Sequence, residues 1–115
     1  METQGKAAAI AALNDAFRRD PRGAPIGSIV ATRGIVALPE PIQQELLLKI
    51  QGFTAFTPDN DPHKEHDFGS VEVGDVKAFW KIDYYGDPTF SFGAEDPSDP
   101  YNSFRVMTIM LVSEY

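Results

Sequence analysis

The sequence predicts an α+β fold: two amphipathic helices packed on an antiparallel sheet of about four strands, a single pair of layers. Three observations predict it. Apolar residues recur at helical spacing over 6–19 and again over 40–51. Side chains alternate at period two over 71–85, on both sides of a Gly74-Asp75 turn. The chain has 115 residues, one domain's worth, and its 43% hydrophobic and 11% aromatic composition fills one small core.

The elements follow in order. Ile10, Leu13 and Phe17 fall on one stripe of a helix over 6–19, with Arg18 and Arg19 in the last turn, where cations suit the helix dipole. Asp20-Pro21-Arg22-Gly23-Ala24-Pro25 ends it. Residues 28–36 are rich in β-branched side chains and predict a strand bent at Gly34. Pro39 and Pro41 suit a first helical turn, and Ile42, Leu46, Ile50 and Phe53 mark a second helix over 40–51 that Gly52 stops. Residues 57–69, with two prolines among Asp, Asn and Gly, predict an ordered loop.

Val71 and Val73 alternate with Glu72, and the two-residue turn leads into a return strand. Val76, Ala78, Trp80, Ile82 and Tyr84 share one face of it; Lys77, Phe79, Lys81, Asp83 and Tyr85 share the other. Aromatics on both faces make this a central strand, and Lys81 and Asp83 stand at ion-pair spacing. Residues 86–100 read as loop, with Thr89–Phe92 able to add a short strand. Residues 103–113 are nearly all apolar; a buried strand fits best, and periodicity alone leaves a buried helix open. Tyr115 is expected to dock in the sheet.

Composition excludes several classes of function. There are no cysteines, so disulfides, thiolate metal sites and cysteine nucleophiles are absent. No apolar run approaches the roughly 18 residues of a membrane span. The N-terminus lacks a signal-peptide pattern, which predicts a cytoplasmic protein with no membrane partner. The net charge of −7 is local: residues 1–58 carry +1, residues 59–99 carry −8, and residues 100–115 carry zero. Such a surface repels phosphate backbones, which disfavours direct nucleic-acid binding, and it suits a cation or a basic protein patch.

Chemistry, if present, is expected in the Asp59–Gly69 segment. Asp59, Asp61, Glu65, His66 and Asp67 place five ligands or proton carriers close together. Asp59, Asp61 and His66 would suit a hard divalent cation, with His66 or Glu65 as a general base. The known motifs fail. An EF-hand starting at Asp59 needs Gly where Lys64 stands and Glu where Ser70 stands. Asp67-Phe68-Gly69 has no kinase context, and H-E-x-x-H, G-x-S-x-G and P-loop patterns are missing. The competing reading is structural: Asp and Asn in a proline-bounded loop hydrogen-bond their own backbone.

Several co-linear segments carry a resemblance. They are Leu13-Asn14-Asp15-Ala16-Phe17-Arg18, Phe56-Thr57-Pro58-Asp59-Asn60-Asp61-Pro62, Glu65-His66-Asp67-Phe68-Gly69, Trp80-Lys81-Ile82-Asp83-Tyr84-Tyr85, Arg105 to Leu111, and Ser113-Glu114-Tyr115. From about residue 10 onward the chain resembles the bacterial domain-of-unknown-function family numbered 3768. It departs at His63-Lys64 and at Gly86, where Asp is usual. The resemblance implies proteobacterial mobile elements and carries no established activity.

Two functions from different classes are therefore expected. The first is a non-enzymatic acidic interaction module of a mobile element, an anti-defence inhibitor of anti-CRISPR or anti-restriction type. Asp59, Asp61, Glu65, Asp67, Tyr85, Asp87, Asp96 and Asp99 would meet the basic, nucleic-acid-binding surface of a partner protein, with no cofactor. The alternative is a small metal-dependent, hydrolase-like enzyme using a divalent ion at Asp59–Asp67. A homodimer through an exposed strand edge is compatible with either.

Overall fold

The computed structural model of the chain describes residues 2–22 and 27–115. Its elements run α1 (Glu2–Arg19), β1 (Gly27–Ala31), α2 (Arg33–Val36), α3 (Glu40–Gln51), β2 (Phe68–Val73), β3 (Val76–Tyr85), β4 (Phe104–Leu111) and a closing 3-10 turn, η1 (Val112–Glu114). The fold is α+β: three helices and an open four-stranded sheet of order β1-β4-β3-β2. β2–β3 and β3–β4 are antiparallel, as expected, but β1 runs parallel to β4, so the sheet is mixed. All of α2, α3 and the β2–β3 hairpin lies between β1 and β4, ample chain for the crossover that a parallel pair needs.

Phe17 of α1, Ile35 of α2 and Leu46 and Ile50 of α3 meet Val71, Val73, Ala78, Trp80, Ile82, Met107 and Ile109 of the sheet in one core. Every sheet residue in this set lies on the face that period-two alternation assigns to it, and β3 is an inner strand, as its two-sided aromatics predict. Trp80 is fully buried opposite Gly69, where a Cβ would stand 2.6 Å from the indole nitrogen, so only glycine lets β2 pass. Gly74 takes φ +58 in the hairpin turn, which a two-residue connection requires.

Four local expectations change. Helix α1 starts at Glu2, earlier than expected, and the Gly23–Pro25 part of its expected break lies outside the described residues. The strand expected over 28–36 ends at Ala31, and Arg33–Val36 turn into α2. β-Propensity loses here to a tertiary cap. The Glu114 carboxylate accepts from Thr32 Oγ1 (2.6 Å), Gly34 N (3.0 Å) and Leu111 N (2.8 Å), which fixes the first turn of α2 against the end of β4. A Cβ at Gly34 would stand 2.6 Å from Leu111 Cδ1 and 2.8 Å from the Glu114 carboxyl carbon. Thr89–Phe92 form no strand; a single bridge joins Tyr85 to Gly93. Tyr115 is largely exposed rather than docked in the sheet, with its ring over Phe68 and Phe79 at 6.0 and 5.3 Å.

Residues 103–113 resolve as strand β4 followed by η1. Lys81 and Asp83 pair at 3.0 Å on the sheet face away from the helices. Among the described residues, no helix is long and apolar enough to cross a membrane.

The Thr32 hydroxyl, followed by the backbone donors, holds the Glu114 carboxyl below its ordinary value of 4.5. A depressed folded value means that the cap stabilises above the unfolded pKa and is lost as pH falls through the folded one. The expected outcome is that Glu114→Gln lowers stability near neutral pH. That deficit relative to the parent should close as pH falls below about 4 in urea titrations.

Candidate functional site

Three polar side chains on α1 build the site. Asn14 and Arg18 lie on the same helical stripe as Ile10 and Phe17, so the helix that buries apolar residues buries them too. Asn14 and Arg105 are 0% exposed and Arg18 is 1% exposed. Arg18 stands in the last turn of α1, as expected, but it is buried there.

Arg18 donates from Nε to Ile50 O (2.9 Å), from one terminal nitrogen to Asp15 Oδ1 (3.0 Å), and from the other to Phe53 O (2.9 Å). It thereby occupies carbonyls at the C-terminal end of α3, where a cation is favoured. Its guanidinium lies 5.0 Å from the Trp80 ring and 5.4 Å from the Phe56 ring.

Arg105 projects from β4 onto the same layer. It donates to Asn14 Oδ1 (2.6 Å), Ser103 Oγ (2.9 Å) and Pro97 O (2.7 Å), with its guanidinium 5.0 Å from the Tyr84 ring. Asn14 Nδ2 donates to Glu65 O and to Tyr84 Oη, both at 2.9 Å, and Tyr84 Oη donates to Glu65 Oε1 at 2.8 Å. Asn14 therefore spends two donors and one acceptor, and each of its three partners comes from a different segment. Burial lowers the pKa of both guanidiniums, which nevertheless stay charged. Burial also pushes the Tyr84 phenol up, so it stays a neutral donor.

Two acidic segments hang on this cluster. In the first, Asn60 Oδ1 accepts from Thr57 N (2.8 Å) and Asn60 Nδ2 donates to Ala55 O (2.9 Å). Asp61 Oδ1 accepts from the amides of Glu65 and His66, both at 3.1 Å. His66 Nδ1 lies 3.0 Å from both Asp15 oxygens, and its Nε2 lies 3.8 Å from Asp61 Oδ2. The imidazole stacks on Phe56 at 3.9 Å and 1°. Lys64 and His66 both adopt the left-handed region, at φ 60 and φ 57, which non-glycine residues rarely occupy. In the second segment, Asp87 accepts from Thr89, Ser91 and Phe92, Asp96 from Ser98, and Asp99 from Tyr101 and Asn102.

The expected site residues therefore divide. Asp59 is exposed. Asp61, at 5% exposure, is a loop cap and is withdrawn from any partner-facing or ion-facing role on the surface. Glu65 is engaged by Tyr84, and Asp67 is half-buried, its pKa raised first by burial and then by Glu65. Tyr85 is half-buried and packs its ring on Phe90 at 5.4 Å. Asp87, Asp96 and Asp99 are held below the usual carboxylate range, chiefly by the side chains of Thr89, Ser98 and Asn102 respectively.

The ligand set Asp59, Asp61 and His66 is not assembled. Among the described residues, no three His, Asp or Glu side chains come together as metal ligands. His66, named as a general base, instead meets Asp15, a partner outside the expected segment. The dyad opens onto a groove of about 760 Å³ between Ala7, Ala8, Ala11 and Ala12 of α1 and Pro62, His63 and Lys64 of the loop.

Sequence reasoning missed Asn14, Asp15, Arg18 and Arg105. A signal for three of them was present. Asn14 and Arg18 interrupt the apolar stripe of α1, and Arg105 interrupts an apolar strand; polar residues at core positions announce a buried network.

Asn14→Ala leaves the Arg105 Nε without its acceptor and Glu65 O without its donor, and the Tyr84 hydroxyl keeps only its bond to Glu65 Oε1. The expected loss is about 3 kcal/mol of unfolding free energy, read by urea denaturation with the single Trp80 as the fluorescent probe.

Neither a curated protein nor a solved structure matches the chain. One family does, over residues 31–114, which leaves the Leu13–Arg18 segment outside the match. The chain accordingly belongs to the family described as protein of unknown function, DUF3768.

Proposed function

We propose that the chain is a non-enzymatic, acidic protein-interaction module that covers a basic, nucleic-acid-binding surface of a partner protein in the cytoplasm. One observation carries the reading. In the loop between β3 and β4, Asp87, Asp96 and Asp99 are each locked ionised by their own turns, beside the exposed side chains Phe92 (59%) and Tyr101 (86%). Carboxylates already fixed by backbone donors lose little freedom on binding, and charge sets encounter rate and register. Exposed tyrosine supplies the large contact that acid alone does not. Glu95 adds a further charge on the same loop, and with Asp96 and Asp99 it lines a cleft beside Phe92.

The finer reading is an anti-defence inhibitor from a mobile element that blocks nucleic-acid entry to a host effector. Local charge supports the geometry of that role: the −8 of residues 59–99 repels nucleic acid and attracts the cationic channel that would hold it. The mobile-element setting is implied by the family resemblance.

The test is affinity capture of a partner with the parent chain and with Asp96→Asn/Asp99→Asn and Tyr101→Ala variants. Asparagine keeps the turn acceptor and removes the charge. The expected outcome is a basic partner whose binding weakens with salt, competes with nucleic acid, and falls about tenfold or more in either variant. A partner bound equally by all three proteins, with no salt dependence, would overturn the reading. Light scattering on the same samples separates a foreign partner from a second copy of the chain.

A further inference from the structure

We infer that the groove between α1 and the Pro62–His66 turn is a binding site for a small organic oxyanion, a carboxylate or phosphate head on a compact apolar body. The groove is large enough for such a molecule, at about 760 Å³. One wall is four alanine methyls, which leave space and offer only apolar contact. The other wall gathers three side chains with nitrogen donors, His63, Lys64 and His66, within the most acidic stretch of the chain.

The hydrogen-bonding capacity left in the groove selects the head group. The Asp15 carboxylate, the only acid among the described lining residues, is already engaged by Arg18 and by His66 Nδ1. That engagement orients the imidazole and leaves Nε2 as the nitrogen for a ligand; Asp61 Oδ2, at 3.8 Å, is too far to take it by hydrogen bond. Among the described residues, neither Lys64 nor His63 forms an ion pair within the chain. His63 and Lys64, with the second nitrogen of His66, thus remain for an incoming anion.

The backbone agrees. Lys64 and His66 are both held left-handed, a conformation unfavourable for side-chain-bearing residues, by Asp61, which receives the Lys64, Glu65 and His66 amides. Both side chains line the groove as a result. Strain retained where two polar side chains share one groove is the pattern of a binding site.

The chain has only two histidines, so imidazole NMR signals report the groove directly. The probes are phenyl phosphate and benzoate, with benzyl alcohol as the uncharged control; the stronger of the two acids identifies the head group. A saturable shift of the His66 signals with at least one acid, and none with the alcohol, is the expected result. Lys64→Ala should weaken it about tenfold. Ala8→Phe, at an exposed position on the alanine wall, should abolish it by filling the groove, with unchanged Trp80 fluorescence as the folding control. No shift at millimolar concentrations with either acid, or a shift that survives both substitutions, overturns the assignment. Neither substitution touches the β3–β4 loop, so this result stands apart from the partner-capture experiment.

Discussion

The Arg105 guanidinium is buried with no carboxylate paired to it among the described residues, and the way the fold satisfies it constrains everything above the sheet. A charge in that position needs acceptors on several sides. The chain supplies them from Asn14 on α1, from Ser103 and from the carbonyl of Pro97. Asn14 in turn holds Tyr84 and the Glu65 carbonyl. A single side chain on α1 therefore registers the helix, the central strand, the last strand and both acidic segments against one another. Arg18, one turn later, repeats the arrangement toward α3 and Asp15.

This arrangement explains how a chain with so uneven a charge keeps its acidic loops ordered. Eleven carboxylates fall in residues 59–99, and self-repulsion alone would spread them. Two buried cations lie beneath them, and several of the acids are consumed as turn caps. Asp61, Asp87, Asp96 and Asp99 each accept from backbone amides close by in sequence. The result is two internally hydrogen-bonded loops with different characters. The turn at Pro62–His66 faces a groove lined by Lys64 and two imidazoles, and the loop between β3 and β4 presents acid and aromatic surface.

The legibility of the sequence follows physical lines. Helix α3, the β2–β3 hairpin and the face assignments of β3 were readable, because periodicity and turn chemistry are local signals that the core enforces. The parallel placement of β1 was not, because nothing local distinguishes the two directions of a short edge strand. Arg33–Val36 read as strand because Val and Ile favour it, yet Glu114, far along the chain, caps the turn as helix. The acidic segment was correctly picked out as a structured loop, but its dyad partner, Asp15, sits on α1 and has no spacing relation to His66. Ligand geometry assembled from distant segments leaves no mark in a window of sequence.

Helix α1 and the Asp61–Asp67 segment form one cooperative unit through Asn14 and Asp15. Native-state hydrogen exchange reads that cooperativity. The Glu65 and His66 amides, which donate to Asp61, should open with the same free energy as the amides of Asn14 to Arg18. Exchange of the two loop amides at rates near those of an unfolded chain, while α1 stays protected, would show that the segment opens independently of the helix.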